Sequence, residues 1–325
     1  MLINFAALVI GLVVLVIAAD KFVIGTASIA RQFGVSPLLI GLTIVGFGTS
    51  APEILVSVIA SYEGNPGLAI GNAIGSNITN IALILGVTSM VSPLAFKSQL
   101  LGRELPVLML ISLVCYLLAF DGLGWIDGTV MIVLLICFLY WLVNTANKEI
   151  QNKTVSCDPL EQELLDEIPE EIPVNRAWLY FALGLIGLLL SSRLIVWAAI
   201  KIAVLLGVSD LVIGLTIVAL GTSLPELAAS ISSVLKKEDD LAVGNVIGSN
   251  IYNLLAVYSM PGFLAPGPVA ESVIYRDFPV MLGLTAVLFV LGYGFSKQGQ
   301  ISRFEGGFLF AAFCSYQWTV YHSVV

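Results

Sequence analysis

The sequence predicts an all-α polytopic membrane protein of ten transmembrane helices, arranged as two inverted five-helix repeats. Three observations predict it. Of the 325 residues, 58% are hydrophobic and 11% charged, with a mean hydropathy of +1.00, whereas about a quarter of residues are charged in a soluble domain. Apolar runs recur that are long enough to cross a hydrocarbon layer of roughly 30 Å, which takes about 20 residues each. A long block of the chain also returns later at a constant offset, with its polar residues in register.

The first run, 3–22, has no positive charge before it and no small-residue cleavage site after it, so it reads as a retained span, not a signal peptide. Runs 38–62 and 68–91 carry the first copy of the repeated block, 34–85, and runs 101–120 and 125–145 complete a first repeat over residues 1–145. Residues 146–176 form a linker with acids from Asp158 to Glu171 and no base among them. It reads as a solvated cytoplasmic tether: no DxDxDG calcium loop occurs, and Pro159, Pro169 and Pro173 interrupt any long helix. Run 177–202 opens the second repeat, 177–325. Runs 211–234 and 241–265 carry the second copy of the block, 207–258, and runs 277–295 and 304–323 close the chain.

Orientation follows from Lys and Arg. Counting connections alternately, Arg31, Lys97, Arg103, Lys148, Lys153, Arg176, Lys236, Lys237, Lys297 and Arg303 fall on one side, and only Lys201 and Arg276 on the other. By the positive-inside rule the first side is cytoplasmic and both termini lie outside. The expected location is the plasma membrane, which is the inner membrane if the cell is bacterial. Cys115, Cys137, Cys157 and Cys314 form no CxxC pair, so neither a disulfide nor a zinc site is indicated. His322, the single histidine, sits at the outer end of the last span, which leaves no buried imidazole for catalysis.

The repeat is specific. GVSPLLIGLTIVGFGTSAPE from Gly34 aligns without a gap on GVSDLVIGLTIVALGTSLPE from Gly207, and LAIGNAIGSNITN from Leu68 on LAVGNVIGSNIYN from Leu241. Chance similarity between apolar helices matches Leu, Ile and Val, but not Gly, Asn, Ser, Pro and Glu in register. An odd number of crossings separates each block from its copy, so the copies run through the bilayer in opposite directions. Inverted repeats of this kind in secondary transporters meet near the midplane, where helices are broken at the substrate site.

The motifs place charge in that greasy setting. Glu53 and Glu226 lie well inside their spans, where an ionised carboxylate costs about 2.5–3.5 kcal/mol. No Lys or Arg accompanies them within the motifs; Lys21 and Arg193, in the first and sixth spans, do not repeat. The compensating charge is then a bound cation or a proton. Thr49, Ser50 and Glu53 share one helical face, as do Thr222, Ser223 and Glu226. Pro52 and Pro225 lack an amide hydrogen and force the helix open near Gly46–Gly48 and Ala219–Gly221, which frees carbonyl oxygens. On the next span Asn72, Ser76 and Asn80 form a polar stripe, repeated by Asn245, Ser249 and Asn253. Asn77 and Asn250 point off the stripe and read as glue between helices. The oxygen-only set suits Na+ or Ca2+ and argues against zinc or copper. Two carboxylates are neutralised equally by one Ca2+ or two Na+, which permits exchange.

At these residues the chain resembles the sodium/calcium exchanger family of the cation/calcium antiporters, whose two repeats carry GTSxPE and GNxxGSNxxN. The resemblance implies a secondary active antiporter that exchanges Na+ for Ca2+, in a compact prokaryote-type form without the large regulatory insert of animal exchangers. It implies Glu53 and Glu226 as central ligands and Thr49, Ser50, Ser76, Asn80, Thr222, Ser223, Ser249 and Asn253 as supporting ones, with backbone oxygens of Gly46 and Ala219. Na+ and Ca2+ are then substrates, the lipid bilayer is the surrounding partner, and neither a resident cofactor nor nucleic acid is expected. Asn253 stands where potassium-dependent members have Asp, which disfavours potassium coupling. The alternative is Ca2+/H+ or other cation/proton antiport; proton-coupled relatives place a further acid in the GN block, which here reads GNAIGSN or GNVIGSN. An intramembrane hydrolase lacks a base other than glutamate, so the chain does not read as an enzyme.

Overall fold

The computed structural model describes residues 2–35, 37–95, 101–155, 172–205, 219–293 and 299–324. Each of the ten predicted spans holds helix. Six helices among the described residues are long and apolar enough to cross a membrane alone: Ile3–Gln32, Pro66–Val91, Trp125–Lys148, Val174–Ile195, Asp239–Leu264 and Val273–Leu291. Gly41–Thr49 and Ala51–Tyr62, bent by 49° to one another, are long and apolar enough to count as a seventh when taken together as one span. Leu101–Leu118, Ala219–Thr222 with Leu224–Leu235, and Arg303–Val324 lie in the remaining predicted spans; residues 211–218 of the seventh predicted span fall outside the described residues.

Several helices run past the predicted ends. The first continues to Gln32, the fifth to Val155, and the sixth covers Val174–Leu205. Hydropathy marks where a chain leaves hydrocarbon, not where its hydrogen bonding stops. In the first helix the extra turns are held by protein: Phe22, Val23, Ile29 and Ala30 are all buried. The linker predicted over 146–176 is therefore helical at both ends, and its acidic middle, 156–171, lies outside the described residues.

Short contacts between connections agree with the alternation of spans. Leu94–Ala95 pairs antiparallel with Gln300–Ile301, and Leu123 bridges to Gly267. Each pair joins two connections assigned to the same side of the membrane, the first to the Lys/Arg-rich side and the second to the opposite one.

Packing divides the chain into a central body and a helix pair beside it. The Asp239–Leu264 span is 100% buried along its apolar window and Pro66–Val91 72%, so these two form the centre. One apolar cluster runs through the third, fourth, fifth, eighth, ninth and tenth spans. A second joins the first and sixth spans to parts of the second, seventh and eighth. The first and sixth approach backbone to backbone at two glycines. A Cβ on Gly25 would stand 2.4 Å from the Phe181 nitrogen, and one on Gly184 2.5 Å from the Phe22 nitrogen. Small residues drive such packing where water supplies no hydrophobic force between helices.

Candidate ion-binding site

The second span breaks at its motif. A π-helical turn over Gly41–Val45 precedes a short helix, Gly46–Thr49; Ser50 then leaves helical geometry with φ −80° and ψ 3°, and Ala51–Tyr62 begins afresh with Pro52 in its first turn. The break therefore falls at Ser50, and not at Gly46–Gly48 as the proline alone predicts. The reason is that the Ser50 amide still reaches the Gly46 carbonyl at 3.1 Å. That carbonyl also accepts from the Ser249 hydroxyl at 3.4 Å, so Gly46 links the repeats. The seventh span repeats the device: Ser223 has φ −89° and ψ 5°, and Leu224–Leu235 starts with Pro225 in its first turn. Ala219 opens the short helix Ala219–Thr222 before the break, and residues 207–218 of the second block lie outside the described residues.

Glu53 and Glu226 each fall in the first turn of the restarted helix and are each only 1% exposed. The two carboxylates lie within electrostatic reach of one another. Neither carboxylate faces lipid. Each also meets the threonine of the other repeat, Glu53 beside the Thr222 hydroxyl and Glu226 beside that of Thr49. Thr49 further has the Val45 carbonyl and the Asn245 amide oxygen within 3.1 Å, and Ser249 Oγ at 3.5 Å. The two motifs thus interlock across the repeat boundary.

The stripes on the third and eighth spans close the site. Asn72 donates to the Glu53 carbonyl at 3.2 Å and Asn245 to the Glu226 carbonyl at 3.4 Å. Ser76, Asn80, Ser249 and Asn253 are all buried. Asn77 donates to the Asn250 carbonyl at 3.2 Å, which is the gluing role its position predicts. Asn250 does more: its amide oxygen accepts from Asn80 Nδ2 at 3.0 Å and so fixes how Asn80 presents its own oxygen.

Buried acceptors without hydrogen-bond partners concentrate here. Ser50 Oγ, Glu53 Oε2 and Asn80 Oδ1 are such atoms in one repeat, and Ser223 Oγ, Glu226 Oε2 and Asn253 Oδ1 are their equivalents in the other. Most buried polar atoms in a folded protein are paired. Oxygen-only sets of this kind, carboxylates with neutral oxygens, have the chemistry that hard cations take.

The family model for sodium/calcium exchanger protein matches residues 3–144 and 176–322. The chain belongs to the sodium/calcium exchanger family. This is a family of membrane antiporters whose substrates are Na+ and Ca2+. A solved structure of the sodium-calcium exchanger NCX_Mj, soaked with Na+ and Ca2+, matches with a TM-score of 0.81 at 34% identity, covering 97% of each chain. With that exchanger the chain shares an all-helical fold of inverted repeats. The putative antiporter CaxA of Alkalimonas amylolytica is 44% identical over 99% of this chain and 100% of its own length. The inner membrane protein YrbG of Escherichia coli is 40% identical, covering 90% of this chain and 89% of its own.

Two residues beside the candidate site were passed over by the motif reading. Ser57 and Ser230 follow Glu53 and Glu226 by one helical turn and align between the repeats. Ser57 donates to the Val257 carbonyl at 2.8 Å, at the end of a π-helical turn over Asn253–Val257. Ser230 lies 3.3 Å from Asn245 Nδ2. Their signal was the repeat itself, which extends GTSxPE to GTSxPExxxS. Ser192 of the sixth span donates to the Gly221 carbonyl at 2.6 Å; nothing in the motifs points to it.

Proposed function

We propose that this chain is a secondary active antiporter that exchanges Na+ for Ca2+ across the plasma membrane by alternating access, at one oxygen-lined site between its repeats. The observation that carries this is the symmetric set of buried, unpartnered oxygens around Glu53 and Glu226. An unsatisfied buried polar group costs about 1–3 kcal/mol, and a charged one more, so the set calls for a cation. Glu53 and Glu226 are the central ligands. Ser50, Asn80, Ser223 and Asn253 supply neutral oxygens, and Thr49, Thr222, Ser76, Ser249 and the carbonyls of Gly46 and Ala219 complete the shell. Ca2+ or two Na+ cancel the two charges equally. An empty site bearing both charges resists crossing between conformations, which couples the two fluxes.

Two features support the remaining parts of the reading. Both motif spans are broken at equivalent residues, Ser50 and Ser223, with each glutamate in the first turn that follows; broken helices that meet at the site of inverted repeats are the arrangement by which secondary transporters alternate access. The membrane assignment rests on the excess of Lys and Arg on one side, which also puts both termini outside, and on similarity to a bacterial inner membrane protein.

The test uses proteoliposomes loaded with Na+ and diluted into Na+-free medium containing labelled Ca2+. Uptake is expected, and none is expected when a pH gradient is the only driving force. Uptake driven by the pH gradient alone would transfer the chain to the proton-coupled antiporters.

A further inference from the structure

A cavity of 380 Å3 lies outside the ion site, between the first span and Leu224–Leu235. Its walls are apolar along their length, with Leu12 and Val16 on one side and Leu227, Ala228 and Ile231 on the other. Asp20, Ser232 and Lys236 stand at one end. Leu12 and Val16 are exposed on the outer surface of the helix, which here means exposed to hydrocarbon. An apolar cavity in this position does not hold water, which needs two or more polar partners.

Its depth matches one leaflet. From Glu226 to Lys236 the helix advances about 15 Å at ~1.5 Å per residue, which is half of a hydrocarbon layer of roughly 30 Å. With Glu226 near the midplane, the Lys236 end lies at the headgroup boundary on the Lys/Arg-rich side, and the Leu224 end lies near the centre of the bilayer.

The charges at the mouth do not cancel. Lys236 pairs with Asp20 at 2.5 Å. Lys21 stands 4.0 Å from the same carboxylate and lies over the Tyr180 ring at 5.0 Å from its centroid. Lys237 is exposed in the turn that follows. Further along, Arg31 and Glu238 pair with each other. Asp20 therefore has two lysines within 4.0 Å, Lys21 and Lys236, while the Asp239 carboxylate accepts from the Ala95 amide.

We propose that this groove binds one acyl chain of an anionic glycerophospholipid from the Lys/Arg-rich leaflet, with its phosphate held by Lys236 and Lys21. The walls select a hydrocarbon chain, the depth limits it to a single leaflet, and the surplus positive charge selects the headgroup. The lipid would then lie along the same helix that carries Glu226. This inference rests on the membrane reading of the chain and is independent of which ions it moves.

The experiment is native mass spectrometry of the purified full chain after incubation with equal amounts of phosphatidylglycerol and phosphatidylcholine of the same acyl chains. The wild type is expected to retain one phosphatidylglycerol in at least several-fold preference. Ala228→Phe and Val16→Trp, which fill the groove from opposite walls, are expected to lower retention about ten-fold, and Lys21→Gln to remove the headgroup preference. Thermal unfolding near that of the wild type identifies which variants are folded. Equal retention of the two lipids by the wild type, undiminished retention by the folded groove variants, or an unchanged preference in Lys21→Gln would overturn the proposal.

Discussion

The side-chain amide of Asn72 donates to the backbone carbonyl of Glu53 at 3.2 Å, and Asn245 repeats the contact on Glu226 at 3.4 Å. Each asparagine ties the start of a restarted helix to the span that follows it, and so holds a carboxylate at a set height. The two are unequal. Asn245 is buried and also meets Thr49 and Ser230, whereas Asn72 is half-buried. Replacing Asn245 by Ala leaves buried groups unpaired, at about 1–3 kcal/mol; Asn72→Ala admits solvent and costs less. Thermal unfolding in detergent is expected to fall further for Asn245→Ala. An equal or larger drop for Asn72→Ala would show that these contacts do not carry the difference.

The carboxylates themselves should separate stability from transport. Two buried acids facing each other oppose folding when no cation is present, because charges taken from water need partners. Glu53→Gln and Glu226→Gln are each expected to unfold at the same temperature as the wild type or higher in chelator. Both should lose Na+-driven Ca2+ uptake. They should also lose the stabilisation that saturating Ca2+ gives the wild type, about 2.7 kcal/mol at a hundred-fold excess over Kd. Unchanged uptake in both variants would remove the glutamates from the mechanism.

Asn77 and Asn250 look alike in sequence and differ in what they hold. Asn77 donates to the backbone carbonyl of Asn250. Asn250 holds the side chain of Asn80, whose Oδ1 is one of the unpaired oxygens matched between the repeats. Asn250→Ala is expected to raise the KM for Ca2+ about five-fold, the equivalent of one hydrogen bond of ~1 kcal/mol. Asn77→Ala is expected to lower the unfolding temperature with KM unchanged. Transport kinetics on both variants in matched vesicles decide between these assignments.

Much of the site was legible because polar residues stand out against an apolar background. Glu53, Asn80, Glu226 and Asn253 have no hydrophobic reason to be where they are, and the repeat doubles each signal. What escaped the sequence is set by geometry between segments. The position of the break depends on whether the Ser50 amide still reaches Gly46, which Pro52 does not determine. The crossed partnerships of Glu53 with Thr222 and of Glu226 with Thr49 arise only once the repeats interlock, and motif spacing reports neighbours within one helix. Likewise the first helix runs on to Gln32 because the protein buries Phe22 and Ile29, a fact that hydropathy does not carry.

Gly248 holds the eighth span against the second at backbone distance. An added Cβ there would meet the Leu42 backbone, with the carbonyl oxygen at 2.7 Å and Cα at 2.9 Å. Backbone cannot step aside as a side-chain tip does, so the two spans would have to separate. The same face of the second span carries Gly46, where an added Cβ would stand 3.1 Å from the Gly248 carbonyl carbon and the Ser249 nitrogen. Gly248→Ala is therefore expected to lower the unfolding temperature in detergent and to slow Ca2+ uptake, because the spans it pushes apart carry Thr49 and Ser249. Wild-type unfolding and uptake by Gly248→Ala would show that the close contact at Leu42 does not hold the two spans together.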